Sequence, residues 1–417
     1  MKISAHVISV GNEIMLGDIT NTNARYISKS LSLIGIKVTV QTAIPDDPGI
    51  IISSIKEALD SSEIVIISGG LGPTVDDLTL ESISKALSRK LVFQNRIRDH
   101  IKAHFKRRGL KMPKNNLRQA LVPVGATPIL NNIGTAPGLL IGLHKKILIA
   151  LPGVPFELYP MFKGTVMPVL KRDFPTGKII SSRVIKITGL PESRVNEKIE
   201  QILKTKGTVQ MGIYPHPEEI SVKITVTDQD KRKADATIKR IEKDIRSRLK
   251  DYIFGYDEEK LEGIVGKGLL KAKKTLSIAE SCTGGLLANR ITDTPGSSRY
   301  FRMGFILYSN ISKNRILGIP YAKIKKYGAV SRQIASMMAK NVRTLAETDI
   351  GIAISGIAGP GGGSRKKPVG LVYVALSTKK KTISREFRFL GQREIIKQKA
   401  TQAALNMLRT TKVMPRI

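Results

Sequence analysis

Short apolar runs alternate with amphipathic stretches through residues 1–170. Ile3 to Val10 reads as a buried strand, and in Asn23 to Ile34 the apolar Ile27, Leu31 and Ile34 share one helix face. Ile36 to Ala43 predicts a second strand, Ile50 to Leu59 a second helix and Ile64 to Ile67 a third strand. Strands alternating with helices imply a mostly parallel sheet covered on both faces. From about Lys171 the pattern changes. Arg183 to Thr188 predicts a strand, Glu192 to Leu203 a helix, Ile220 to Thr227 an alternating strand and Lys231 to Leu249 a long basic helix. Phe254 to Glu259 reads as a linker. Beyond it, apolar runs at Leu276–Ala279, Gly304–Leu307 and Ile350–Ile354 each end in a polar or glycine-rich turn.

Composition narrows the setting. No stretch approaches the roughly eighteen uninterrupted apolar residues of a membrane-spanning helix. The N-terminus passes too quickly into Gly11-Asn12-Glu13 to serve as a signal peptide. One cysteine excludes an internal disulfide and a multi-cysteine metal site. These observations predict a soluble, cytoplasmic protein with no membrane partner. The formal net charge is +35, although the charged share, 25%, is ordinary, so bases stand where acids commonly do. Such a field attracts phosphorylated metabolites and nucleic acid. The bases are scattered and aromatics are 5%, too few for an obvious stacking platform. A compositional bias and real contact with polyanions both fit.

The C-terminal part carries the sharpest chemistry. Ser281-Cys282-Thr283-Gly284-Gly285 lies between a predicted strand and the helical pattern of Leu286 to Arg290. Such a turn exposes a side chain at a sheet edge, and its first helical N–H groups are free to hold an anion or oxyanion. The competing reading is a plain helix cap. A serine nucleophile needs a base, and all five histidines lie upstream of this part. A base within the domain is then a lysine, a carboxylate or a tyrosine, and Tyr308 and Lys313 follow the next strand. The stretch Ser355 to Gly363, with Gly356, Gly359, Gly361 and Gly362, can offer successive N–H groups to an anion.

In the first part, Gly69, Gly70, Gly72, Thr74, Asp76, Asp77 and Thr79 follow the third strand and open a helix. Glycines at a helix N-terminus suit a phosphate, and paired Asp76 and Asp77 suit a divalent metal that neutralises it. Here too the alternative is that Asp77 or Thr79 caps the helix.

With these residues in hand, the chain resembles the CinA family. The C-terminal motifs are AESCTGG, the Pro295–Ser298 stretch, YSN with Lys313, SGIAGPGGG and Lys367 to Gly370. They are similar to the PncC-type nicotinamide-nucleotide amidase domain. The resemblance implies hydrolysis of the carboxamide of nicotinamide mononucleotide without a cofactor. Ser281 would be the nucleophile, Lys313 and Tyr308 its activating partners, and Thr283, Gly284, Gly285, Ser297, Ser298 and the four glycines of the later loop would contact substrate. Ile311 and Ser312 depart from the acid and alanine more usual there. Gly11 to Glu13, Asn21 to Asn23, the Gly69–Thr79 stretch, Asn132 to Gly138 and Leu151 to Glu157 resemble the MoaB/MogA fold of the CinA N-terminal domain. That likeness implies a metal-dependent ADP-ribose pyrophosphatase, with Gly69, Gly70, Gly72, Thr74 and Thr79 at phosphate and Asp76, Asp77 and Glu13 at a divalent metal. Asn12 stands where an acid is common. The expected architecture is α/β. It comprises a three-layer domain over 1–170, a small KH-like α+β module over 171–255 and an α/β amidase domain over 256–417. The module lacks the Gly-x-x-Gly loop of a nucleic-acid-binding KH domain and reads as a spacer or dimer-forming element, so a homodimer is expected. The other function weighed is a non-enzymatic binding protein tied to DNA uptake or damage response, as the family's name suggests.

Overall fold

A computed structural model describes residues 3–205 and 207–411. The ends of the expected first and last domains, residues 1–2 and 412–417, and Lys206 lie outside it. The chain divides into two compact units, Met1–Ser181 with Val226–Asp235, and Ser182–Thr225 with Ala236–Ile417.

In the first unit, the central strands are β1 (Ser4–Val10), β2 (Lys37–Ile44) and β3 (Ile64–Ser68). A short antiparallel pair, β4 (Leu91–Phe93) and β5 (Leu121–Pro123), stands apart from the main sheet. The hairpin strands β6 (Ala126–Ile129) and β7 (Gly138–Leu143) lead into β8 (Lys146–Leu151). The six-stranded order is β2-β1-β3-β8-β7-β6. The first four are parallel, β7 runs against β8, and β6 runs against β7. Every residue of β3 is buried, which explains why it reads as an unbroken apolar run: helices cover both faces of a parallel strand. Asn21 and Asp47 cap the helices Thr22–Ser32 and Pro48–Ser61 by accepting from Ala24 N (3.0 Å) and Ile50 N (2.9 Å). Apolar clusters fill both sides of the sheet.

Four strands form the middle sheet, in the order β10-β11-β9-β12: β9 (Ile179–Ile187), β10 (Val209–Pro215), β11 (Ile220–Asp228) and β12 (Ile253–Tyr256). The expected linker at Phe254–Glu259 is a correction. Its first half is β12, paired antiparallel with β9, and Phe254 is buried in the C-terminal core.

The third sheet has the order β14-β13-β15-β16-β17: β13 (Leu276–Glu280), β14 (Phe301–Ile306), β15 (Ile350–Gly356), β16 (Leu371–Thr378) and β17 (Thr382–Arg388). β13 lies between parallel β14 and β15, so the ends of these three strands share one edge. The helix Arg332–Leu345 packs closely on β15 at Gly351. A Cβ there would meet the Ala339 carbonyl and stand 2.6 Å from Arg343 Cβ. Gly351→Ala should therefore cost about 1–3 kcal/mol by overpacking, seen as a lowered melting temperature of the C-terminal domain. An unchanged melt would mean the helix can move off the sheet freely.

Candidate functional site

Ser281 follows β13 directly, and its amide donates to Ile354 O of β15 at 3.0 Å. The strand end on the other side is fixed by Leu307 N donating to Glu280 O at 2.6 Å. Leu307 and Ser309 lead into the helix Asn310–Leu317, where Ser309 and Ser312 form a reciprocal capping box. The departure at Ser312 thus has a local role: it helps start the helix that carries Lys313 one residue later.

Lys313 is 1% exposed, and its Nζ donates to Leu307 O at 2.7 Å and to Ser281 Oγ at 3.2 Å. Burial holds its pKa below the ordinary lysine value, because a charged ammonium loses hydration there. The two residues expected to act together are in contact. Tyr308 is the correction: it is 61% exposed, and its hydroxyl accepts from Arg393 Nη2 at 2.7 Å, not from the Ser–Lys pair.

Cys282 is buried in the apolar core, and burial pushes its pKa up to about 12. A thiol so placed stays protonated near neutral pH.

The expectation of an open helix N-terminus is overturned. The helix Leu286–Thr292 has only seven residues, and its first amides are taken by the buried carboxylate of Glu280. Glu280 accepts from Gly285 N (3.1 Å), Leu287 N (3.1 Å) and Ala288 N (2.8 Å). Gly285 therefore serves this internal cap and leaves no amide for substrate. Gly284 N turns back onto Ser281 O at 3.1 Å. Thr283 is fully buried, with a hydroxyl that finds no partner among the described residues.

The other expected contacts divide. Ser297 and Ser298 precede β14, and β14 runs parallel to β13, so they lie at the sheet edge opposite Ser281. Gly356 ends β15, where a Cβ would meet Val372 and Leu371 of β16; its missing side chain serves packing. Gly359 has φ +82° and sits against Val369, while Gly361 and Gly362 are exposed. Sequence reasoning missed Arg393, which joins Gly359 O (2.6 Å) to the Tyr308 hydroxyl. It opens the last helix, far from every motif, and no spacing signals it. Glu280 was legible in principle, as an acid beside a helix start.

The N-terminal candidates gather at the ends of parallel strands, where open α/β sheets bind ligands. Gly69 has φ +108°, and a Cβ there would strike Val10 O. The alternative, a cap by Asp77 or Thr79, does not form. Thr79 is buried and its hydroxyl donates to Gly69 O at 2.8 Å, so it does not face a ligand. Asp77 Oδ2 accepts from Thr74 N (2.8 Å) and Thr74 Oγ1 (2.5 Å) and closes the turn itself. Its carboxylate lies over Gly72, where any side chain would collide with it. Gly70 likewise makes room for Thr79. Arg118, also missed, holds this turn through Thr74 O (2.9 Å) and Asp77 O (2.8 Å). Asp76 and Glu13 are exposed. Among the described residues no three His, Cys, Asp or Glu side chains come together to hold a metal, so Glu13, Asp76 and Asp77 build no closed cage. The turn suits only a cation that takes most of its ligands from phosphate and water, as magnesium commonly does.

Three segments of the chain match known families. Residues 258–412 match the CinA C-terminal domain, residues 6–172 the probable molybdopterin binding domain and residues 182–255 the damage-inducible protein CinA KH domain. A putative competence-damage inducible protein of Caldicellulosiruptor bescii is 43% identical over 405 residues, 97% of this chain and 98% of its own. A CinA-like protein of Kosmotoga olearia is 43% identical over 407 residues, 98% of each. Among solved structures, the protein CinA of Thermoplasma acidophilum is 37% identical, covering 40% of this chain and 97% of its own at a TM-score of 0.38.

The Glu280 cap predicts a measurable dependence. Glu280→Gln offers one acceptor oxygen and turns an N–H₂ toward donors. It should cost about 1.5–3 kcal/mol, the scale of hydrogen bonds to a charged group, and displace the Ser281 turn. The thermal melting temperature should fall. A variant as stable as the parent would show that water satisfies these amides.

Proposed function

The chain belongs to the CinA family, and from that premise we propose that its C-terminal domain is an amidase acting on nicotinamide mononucleotide through Ser281 and neutral Lys313. The observation that carries this reading is the 3.2 Å contact between a buried lysine and a serine hydroxyl. A neutral amine that gives one hydrogen to Leu307 O keeps a lone pair for the serine proton. Ser281 Oγ attacks the carboxamide carbon while Lys313 Nζ takes that proton. The turn amides left for the oxyanion are those of Cys282 and Thr283, since Glu280 occupies the helix amides. Lys313 returns the proton to the leaving nitrogen, the C–N bond breaks, and ammonia departs from an acyl ester on Ser281. Water then attacks the ester, losing a proton to Lys313, which passes it to Ser281 Oγ as the C–O bond breaks and nicotinate mononucleotide leaves.

The N-terminal domain, on the same premise, cleaves the pyrophosphate of ADP-ribose. The turn over Gly69–Asp77 supports this at the strand ends, and Asp76 with the free oxygen of Asp77 would hold a divalent cation together with substrate phosphate. That cation would neutralise charge on the phosphates when bound. Arg118 keeps the turn in shape. A chelator should abolish ADP-ribose cleavage and leave ammonia release unchanged; equal survival of both activities would remove the metal role.

The amidase reading predicts a pH profile of definite sign. Only neutral Lys313 can accept a proton, and burial lowers its pKa, so the rate should rise with pH as that pKa is passed. Lys313→Arg cannot deprotonate and should lose roughly 10²–10⁴-fold of the rate, the usual contribution of a general base. Ser281→Ala should lose the acyl route, and Cys282→Ala little activity. Ammonia release measured across pH checks all three. A Lys313→Arg enzyme with most of its rate, or a dead but folded Cys282→Ala protein, would overturn the mechanism.

A further inference from the structure

The helix Lys231–Leu249 buries Ala234, Ile238, Ile241, Ile245 and Leu249 on one face. The face turned away carries Arg232, Lys239, Lys243 and Arg246, all exposed, with helical spacing that aligns them in one stripe. Among the described residues none of these four side chains forms an ion pair. Of the helix's acids, Asp235 accepts from Ser181 Oγ at 2.8 Å, Glu242 pairs with Arg183 at 3.2 Å, and Asp244 is exposed on the opposite flank, beside Lys243. Lys239 and Lys243, and Lys243 and Arg246, stand at spacings where like charges repel. The stripe therefore works against the helix that bears it. From Arg232 to Arg246 the helix rises about 21 Å at 1.5 Å per residue. Over that length of duplex axis each strand carries about six phosphates, at about 3.4 Å of axis per charge.

We propose that this stripe is a docking surface for the phosphate backbone of duplex nucleic acid, bound without sequence preference. The surrounding chemistry favours this partner over others. Between the bases the face offers only Ala236, so no large apolar side chain is poised to enter lipid. It carries no aromatic ring on which unpaired bases would stack. The module has no Gly-x-x-Gly clamp, so the interaction is a straight row of cations against phosphate. This goes beyond the two proposed activities and does not depend on either.

The test uses the full chain and a mixed-sequence duplex of about 20 base pairs, followed by fluorescence anisotropy between about 50 and 200 mM salt. The variant carries Arg232→Gln, Lys239→Gln, Lys243→Gln and Arg246→Gln. Each phosphate that one of these bases neutralises adds about 0.9 to the salt slope, so removing all four should lower the slope by about 3.6 and affinity by at least roughly ten-fold. Relief of repulsion should leave its melting temperature no lower than the parent's. A control with Lys366→Gln, Lys379→Gln, Lys380→Gln and Lys381→Gln removes the same charge from the C-terminal domain and should bind like the parent. Equal weakening in both proteins would assign the binding to diffuse charge and overturn the stripe. So would parent binding to vesicles containing phosphatidylserine that the stripe variant loses while its duplex affinity stays intact. If the four changes unfold the helix, Lys239→Gln with Lys243→Gln carries the same prediction at half the change in slope.

Discussion

A lysine ammonium with almost no exposure has to surrender either its hydration or its proton. Around Lys313 Nζ the structure provides a carbonyl, Leu307 O, and a hydroxyl, Ser281 Oγ, but, among the described residues, no carboxylate in an ion pair. A neighbouring carboxylate would have stabilised the charged form and raised the pKa. A carbonyl and a hydroxyl satisfy Nζ as a donor without stabilising its charge as a carboxylate would. The rest of the C-terminal domain is arranged to keep this environment. β13 and β15 fix Ser281 by its backbone, the capped helix from Asn310 brings Lys313 back beneath it, and the apolar core seals the far side.

The same economy explains Glu280. A carboxylate one residue from the serine would perturb the lysine if it faced the site, but it is turned under the short helix and spent on three amides. It thus does for the helix what an ordinary N-cap does, with a charged acceptor that also suits the positive end of the helix dipole. The helix start, which in isolation looks like an anion site, is already filled by the protein's own anion.

Local pattern made much of this legible. Strands buried on both faces announce themselves as apolar runs, and the serine turn and Lys313 sit where those runs end. What the sequence hid were relations between strands. Ser297 and Ser298 share a motif with the site but precede a strand parallel to β13, so direction alone places them at the other edge. Tyr308 follows the correct strand end, yet its hydroxyl is claimed by Arg393, a residue that becomes a neighbour only when the last helix docks. Gly356, Gly70 and Gly72 look like ligand cradles in one dimension; in three, each makes room for another part of the chain. Glycine records close approach without saying what approaches. The linker expected at Phe254 failed for a related reason. Its short apolar stretch pairs with β9, residues distant in sequence, and has no periodicity long enough to declare a strand.

The helix Leu286–Thr292 is too short to be stable through its own hydrogen bonds. Its other end explains how it is kept in place. Arg290 is largely buried and meets Glu262 at 2.7 Å, Glu218 at 2.8 Å and Gln402 Oε1 at 2.9 Å. These partners come from the helix Leu261–Lys271, the stretch between β10 and β11, and the helix Arg393–Thr410. Burial and the nearby carboxylates of Glu262 and Glu219 raise the pKa of Glu218, while Arg290 opposes that rise. A lone guanidinium in such a place would be costly; shared between two carboxylates and an amide, it has its charge and its donors answered. The helix that follows the Ser281 turn is therefore clamped by a carboxylate at its start and by a cation near its end. The second clamp draws on Glu218, so the helix after Ser281 is held in part by a residue of the middle module.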